Sequence, residues 1–275
     1  MRTNHARVIA TAAALCGLAL TSAANANPMP LPYTYVYSTL PKGEAEIEQY
    51  ADLTPVKGVS MASGNPQLYL ASQFQTEFEY GITDRLELGL YLALQPPGPQ
   101  GLYNTATLTE GTGTKERLRY RFAEEGQLPI DLAVYGEIVE FGNELEFEGK
   151  ILLQKRFGDL IIAANLWGEI QKEYASPANE VDWVANPTLG ATYQVTPVFH
   201  LGVEGWMRGE WPGSNPPRSF ALGPHEFVGP TWMLDFGRIW WSTGAYLRVD
   251  DIEHPMAPLD NYGPVWVRTI IGFGL

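Results

Sequence analysis

Lys115, Arg117, Arg119 and Arg121 place a cation at every second position, a spacing that puts all four on one face of an extended strand. Carboxylates recur at the same spacing elsewhere: Glu44, Glu46 and Glu48; Glu77, Glu79 and, past a turn, Glu87; Asp131 and Glu137; then Glu144, Glu146 and Glu148 with Lys150 and Arg156. Cations two apart on one face repel unless neighbouring strands bring opposite charge. Facing ladders of opposite sign can pair into a network that fills the space between them. They can also set up a transverse field that orients and selects polar solutes. A second set further along combines indoles with guanidiniums: Trp206, Arg208, Trp240, Arg248 and Arg268, with Trp266 close by. Such groups suit a flat or sugar-like ligand through stacking and bidentate hydrogen bonds, and equally suit filling an interior.

Hydrolytic and redox chemistry find little support. Gly111-Thr112-Gly113-Thr114-Lys115 lacks the spacing of a phosphate loop, and neither a His-Glu-x-x-His nor a Gly-x-Ser-x-Gly motif occurs. His200 and Glu204 share a strand face, but positions i and i+4 on a strand lie about 13 Å apart, too far to hydrogen-bond. No catalytic residue, metal site or cofactor is therefore expected. The single cysteine, Cys16, excludes a disulfide framework and a cysteine zinc site. A net charge of −13 over 275 residues argues against nucleic acid as a partner.

The elements that carry these ladders follow from parity. Leu68, Leu70, Phe74, Phe78 and Tyr80 alternate with Gln67, Gln73, Gln75, Glu77 and Glu79. After a turn at Gly81–Asp84, Leu86, Leu88, Leu90, Leu92 and Leu94 alternate with Arg85, Glu87 and Tyr91. Period-two alternation over ten or more residues is the pattern of a strand with one apolar face. About twelve such segments occur, starting near Gly43, Gln67, Arg85, Lys115, Ile130, Asn143, Asp159, Glu180, Val198, His225, Arg238 and Pro264. Many match the roughly 9–11 tilted residues that cross a bilayer. Short turns alternate with long loops rich in Pro, Gly and Asn, except for the near-absent loop at Gly142-Asn143, and Tyr80, Phe157, Tyr193 and Phe236 flank the short turns as an aromatic girdle.

Arg2, His5 and Arg7, the apolar stretch Val8–Leu20 and the small residues of Ala24-Asn25-Ala26 have the make-up of an export leader cleaved after Ala26. The expected fold is all-β: a transmembrane antiparallel up-and-down β-barrel of about 12 strands after a cleaved signal peptide. Residues 1–26 are the signal peptide, 27–42 a periplasmic N-terminal lead-in or partial plug, and 43–275 the barrel. The lumen then takes the polar parity, with Lys115, Arg117, Arg119, Arg121, Glu77, Glu79, Glu87, Glu137, Glu146, Glu148, Trp206, Arg208, Trp240, Arg248 and Arg268 as lining candidates.

Val265, Val267, Ile271, Phe273 and Leu275 share one face of the last segment. This resembles the terminal strand of bacterial outer-membrane barrels, which the insertion machinery reads, although most members end in an aromatic residue. The stretch Tyr80-Gly81-Ile82-Thr83-Asp84-Arg85-Leu86-Glu87-Leu88-Gly89-Leu90 is similar to a hairpin of porin-like and putative transport barrels, including the meta-pathway phenol degradation family. These resemblances imply a location in the outer membrane among its lipids, and a porin-like channel for small polar solutes of unknown identity. The alternatives are a barrel enzyme acting on membrane lipids and a closed structural barrel with interaction loops.

Overall fold

In the computed structural model, residues 26–59, 65–95, 112–142, 144–174, 181–213, 222–250 and 262–275 are described. Residues 1–25, which hold most of the expected leader, and most of the long loops lie outside them. Alternation becomes strand throughout: β1 (Ala45–Val59), β2 (Pro66–Thr83), β3 (Leu86–Leu94), β4 (Thr112–Arg121), β5 (Asp131–Phe141), β6 (Glu144–Phe157), β7 (Leu160–Glu173), β8 (Val181–Ala185), β9 (Thr188–Thr196), β10 (Phe199–Pro212), β11 (Leu222–Asp235), β12 (Ile239–Arg248) and β13 (Val265–Gly274). Apart from β8 and β9, which do not pair with each other, each pairs antiparallel with its sequence neighbours, and β13 closes onto β1 with Phe273 opposite Ile47.

β8 and β9 both pair with β7 and with β10, so the thirteen segments fill twelve positions of a closed barrel. The strand expected to start near Glu180 is thus one barrel position in two pieces. Pro187, which has no N–H to give a ladder, interrupts it. The neighbouring strands bridge the gap, with Asn186 N donating to Trp167 O and Met207 N to Pro187 O.

The apolar parity faces outward. Leu70, Leu90, Leu92, Phe147, Leu166, Leu189, Leu201 and Ile271 are all exposed, a surface that water would penalise and lipid accepts. Tyr80, Phe157, Tyr193 and Phe236 stand exposed around the short-turn end, as a girdle requires. By the usual orientation of such barrels the short turns are periplasmic and the long loops extracellular.

Residues 28–40 do not precede the barrel but run inside it. Met29, Leu31, Tyr33, Thr34 and Leu40 are each under 5% exposed. Ala26 N donates to Gly237 O in the β11–β12 turn, so the segment enters at the periplasmic end. It reaches mid-lumen near Tyr33 and returns, and Gly43 N then bonds Gly81 O beside the β2–β3 turn where β1 begins. A charge placed on the outer wall should be costly: Leu90→Arg is expected to lower unfolding free energy in lipid vesicles by about 2–4 kcal/mol. Urea titration of refolded protein measures it.

Candidate functional site

The lumen is built by the register. Glu46 stands opposite Glu79, Glu79 opposite Gly89, Gly89 opposite Arg117, Arg117 opposite Glu137, Glu137 opposite Glu148 and Glu148 opposite Glu169. One hydrogen-bonded row around the wall therefore carries five glutamates and one arginine, all facing inward. Directly opposed like charges destabilise a sheet, so the cations on this row and beside it decide whether the lumen can fold.

Arg117 answers for most of one side. Its Nη1 donates to Glu87 Oε1 at 2.7 Å and its Nη2 to Glu77 Oε1 at 2.5 Å, with Glu79 also in its fork. Arg119 Nη2 adds a bond to Glu87 Oε1 at 2.5 Å. Gly89 makes this reach possible, because a Cβ there would stand 2.5 Å from both Arg117 Nε and Glu77 Oε1. On the other side Lys115 Nζ lies 3.3 Å from Glu137 and Lys150 Nζ 2.6 Å from Glu148. Lys150 also sits 3.7 Å from the Trp167 ring centre and 4.2 Å from that of Tyr135, a desolvated cation–π contact. Arg208 pairs with Glu169 at 3.0 Å and Glu210 at 2.8 Å.

Every predicted lining residue faces the interior, but several are already engaged within the wall. Trp206 is stacked between Tyr33, at 4.5 Å, and Phe227, at 4.2 Å. Arg268 caps the far face of that stack at 3.8 Å from the Tyr33 ring centre and grips Asp52 with two bonds of 2.8 Å. Trp240, fully buried, donates its Nε1 to Glu46. Arg248 binds Asp250, the Tyr262 carbonyl and His225 Nδ1. The sequence left two uses open for these indoles and guanidiniums, stacking on a ligand or filling the interior; their faces are taken up by one another, by Tyr33 and by wall carboxylates. Arg121 lies lower, at the periplasmic rim, bonding Thr39 Oγ1, Asp84 O and Glu124. The Arg121 hydrogen bond, with Arg85 adding to it, holds the Glu124 carboxyl below the usual carboxylate range.

The inserted segment is bound chiefly through its backbone. Tyr33 N and Thr34 N both donate to the Glu204 carboxylate, which Tyr246 Oη also reaches at 2.5 Å. Tyr35 exchanges two bonds with the Asn165 amide, at 2.8 and 2.9 Å. Leu40 N donates to Glu87 Oε2 at 2.7 Å, and Asn27 N to Glu46 Oε2 at 2.6 Å. Gly190 gives Leu31 its seat, since a Cβ there would stand 2.8 Å from Leu31 Cδ1. Glu204 therefore holds the segment and is not a partner for His200. Asn165 and Asp52, which carry no site role in the sequence reading, are also wall groups that the segment and its stack depend on.

Among the described residues, two cavities lie on the lumen side of the wall. One of about 440 Å³ opens toward the long loops and is lined by Gln73, Gln95, Glu144, Glu146, Gln171 and Arg208 among others. The other, about 330 Å³, lies at the short-turn end beside Asn27, Tyr37, Arg156 and His200. They share no lining residue. Leu31, Tyr33 and Thr34 stand between them, each nearly inaccessible. Two carboxylate triads bring oxygens within 4.8 Å of one another and are placed to face a single cation: Glu46, Glu48 and Glu79, and Glu146, Glu148 and Glu169.

With this geometry in place, the comparisons can be read. Residues 24–249 match the profile of a family of unknown function, DUF6662. The chain belongs to this family. The match is not to the phenol-degradation family that the Tyr80–Leu90 hairpin resembles. Among curated proteins no sequence matches. In fold, the DUF6662 chain is similar to the COG4313 outer membrane channel from Pseudomonas putida F1, at 13% identity over 87% of this chain and 98% of that one, with a TM-score of 0.56. It is also similar to the NanC porin, at 9% identity over 83% of this chain and all of that one, with a TM-score of 0.55. The outward apolar belt on a closed barrel of this fold places the chain in a bacterial outer membrane.

Removing Arg117 leaves three buried carboxylates short of their main donor. Arg117→Ala should cost about 3–5 kcal/mol, and Glu79→Gln in that background should restore part of it. Arg156→Ala, whose partner Glu125 is half-exposed, should cost no more than about 1 kcal/mol. Urea midpoints of the refolded variants check all three.

Proposed function

We propose that this barrel is a porin-like channel for small polar solutes whose passage is controlled by its own N-terminal segment. One observation carries the reading: a charged cavity faces the long-loop side, and the buried inserted segment lies between it and the cavity at the short-turn end, with Tyr33 lining the upper one. A wall built only to be solid has no need of a separable stopper. The likeness in fold to an outer-membrane channel and to a porin agrees with this.

The preferred solutes follow from charge. The outer cavity is lined by Glu144, Glu146, Glu148, Glu169 and Glu210 against Lys115, Arg208 and Arg268. Each of those cations already has a carboxylate partner, two of them outside the cavity lining, at Glu137 and Asp52. Glu144 and Glu146 are left as an excess of negative charge, which concentrates cations and tolerates polar neutral molecules over anions. In the same reading the terminal strand, with Ile271, Phe273 and Leu275 outward, is the surface that the barrel-insertion machinery receives.

The test is conductance in planar bilayers under a salt gradient, comparing the intact chain with one lacking residues 28–40. The intact chain should conduct little, and the shortened one should show steady open channels with a cation-selective reversal potential. Equal conductance from both, or anion preference in the shortened chain, would overturn the proposal.

A further inference from the structure

Glu46 and Glu48 pose a problem that the wall does not solve. Both are 1% exposed or less, and with Glu79 their carboxylate oxygens cluster within 4.8 Å. Arg117 and Arg119 reach Glu77, Glu79 and Glu87. Among the described residues no Lys, Arg or His pairs with Glu46 or Glu48. Their neutral donors are Trp240 Nε1 to Glu46 and Tyr50 Oη to Glu48. Glu48 Oε1 and Glu79 Oε2 are buried with no hydrogen-bond partner. Two ionised carboxylates desolvated without a cation cost several kcal/mol each, so the cluster must take up either protons or a cation.

One lies at hand. Asn27 N stands 2.6 Å from Glu46 Oε2, and Asn27 is the residue that follows the small-residue motif Ala24-Asn25-Ala26. We propose that this carboxylate cluster is a binding site for a primary ammonium group, namely the α-ammonium that export processing creates on Asn27. The inference rests on the inserted segment of the channel reading and on cleavage after Ala26. In that step a leader peptidase adds water across the Ala26–Asn27 bond. The hydroxyl goes to the Ala26 carbonyl carbon and a hydrogen to the Asn27 nitrogen, and the new amine takes up a proton from solvent. An amide N–H that could make one bond becomes an –NH3+ with three donors and a full charge. It remains bonded to Glu46, with Glu48 at the same cluster.

Two consequences follow from the geometry. Before cleavage, Ala26 N bonds Gly237 O, and the cluster lacks its cation. After cleavage, the segment is held at both ends of its entry: by Glu46 at its start, and by Glu87 and Asp84 where Leu40 N and Lys42 N donate. Processing therefore adds a charged anchor at the first residue of a segment whose other backbone bonds are already in place.

The experiment uses protein purified from outer membranes. Intact mass and N-terminal sequencing establish the first residue. The rate of α-amine acylation by an amine-reactive ester at neutral pH is then measured for the intact chain, for Glu46→Gln, and for a chain with Gly-Ser inserted before Asn27. Gel mobility with and without heating reports that each barrel is folded. An ammonium paired with Glu46 should react at least about tenfold more slowly than in either variant, since a one-unit rise in its pKa cuts the neutral fraction tenfold. Adding Glu46→Gln to the Gly-Ser chain should change nothing more. A first residue other than Asn27, an amine as reactive as in the Gly-Ser chain, or slow acylation abolished by a metal chelator would each overturn the proposal, the last by assigning the cluster to a divalent cation. Because the readout is not conductance, a chain that conducts as proposed but whose amine reacts freely loses this inference and keeps the channel.

Discussion

Backbone N–H groups of the N-terminal segment donating to carboxylates and amides of the wall are the interaction on which this lumen depends. Polar groups withdrawn from water must find partners inside the protein. The wall supplies acceptors in excess at Glu46, Glu87, Gln154, Asn165 and Glu204, and the segment supplies donors at Asn27, Leu40, Tyr37, Tyr35, Tyr33 and Thr34. The segment itself suits this role. Residues 27–41 hold no charged side chain, and Pro28, Pro30, Pro32 and Pro41 have no N–H to satisfy. Its tyrosines do the packing: Tyr33 completes a stack that runs from Arg268 through Trp206 to Phe227.

Charge and insertion depend on each other. Without the fork of Arg117, the glutamates of β2 and β3 would repel across the wall. Without the segment, Glu204 and Glu46 would lose donors that no other described residue replaces. The segment is bound both ways: its backbone donates to carboxylates and amides of the wall, and Met29, Leu31 and Leu40 are buried with it.

Much of the wall was legible in the sequence because a barrel strand writes its two faces into alternate residues. The inward set Lys115 to Arg121 and the outward set Leu86 to Leu94 follow from parity alone. The interruption at Asn186-Pro187 forms no part of the sequence reading, although a proline within the strand expected from near Glu180 was its signal; bridging by β7 and β10 depends on distant partners. For Trp206, Trp240 and Arg268 the sequence left a ligand site and a filled interior both open, for the same reason. Residue types suited a ligand site, yet their faces are taken by Tyr33, Glu46 and Asp52, separated from them by some two hundred residues of chain. The path of residues 28–40 has no period of its own, and its partners exist only once β13 has closed onto β1. A run of fifteen uncharged residues with tyrosine at 33, 35 and 37 was the signal that it avoids water.

The central claim is that this segment occupies the lumen of the assembled protein in the membrane. The most direct measurement is a cross-link between Leu31→Cys and Gly190→Cys, in a chain whose one native cysteine, Cys16, lies in the expected leader. Leu31 Cγ, the position a cysteine sulfur at 31 would take, lies 3.3 Å from where a Cβ on residue 190 would stand, so the two side chains are within reach of each other for a disulfide. The account predicts that the two thiols oxidise to an internal disulfide in folded barrels, seen as lost thiol labelling that returns on reduction. Two thiols that both stay free under oxidising conditions in a folded barrel would contradict it.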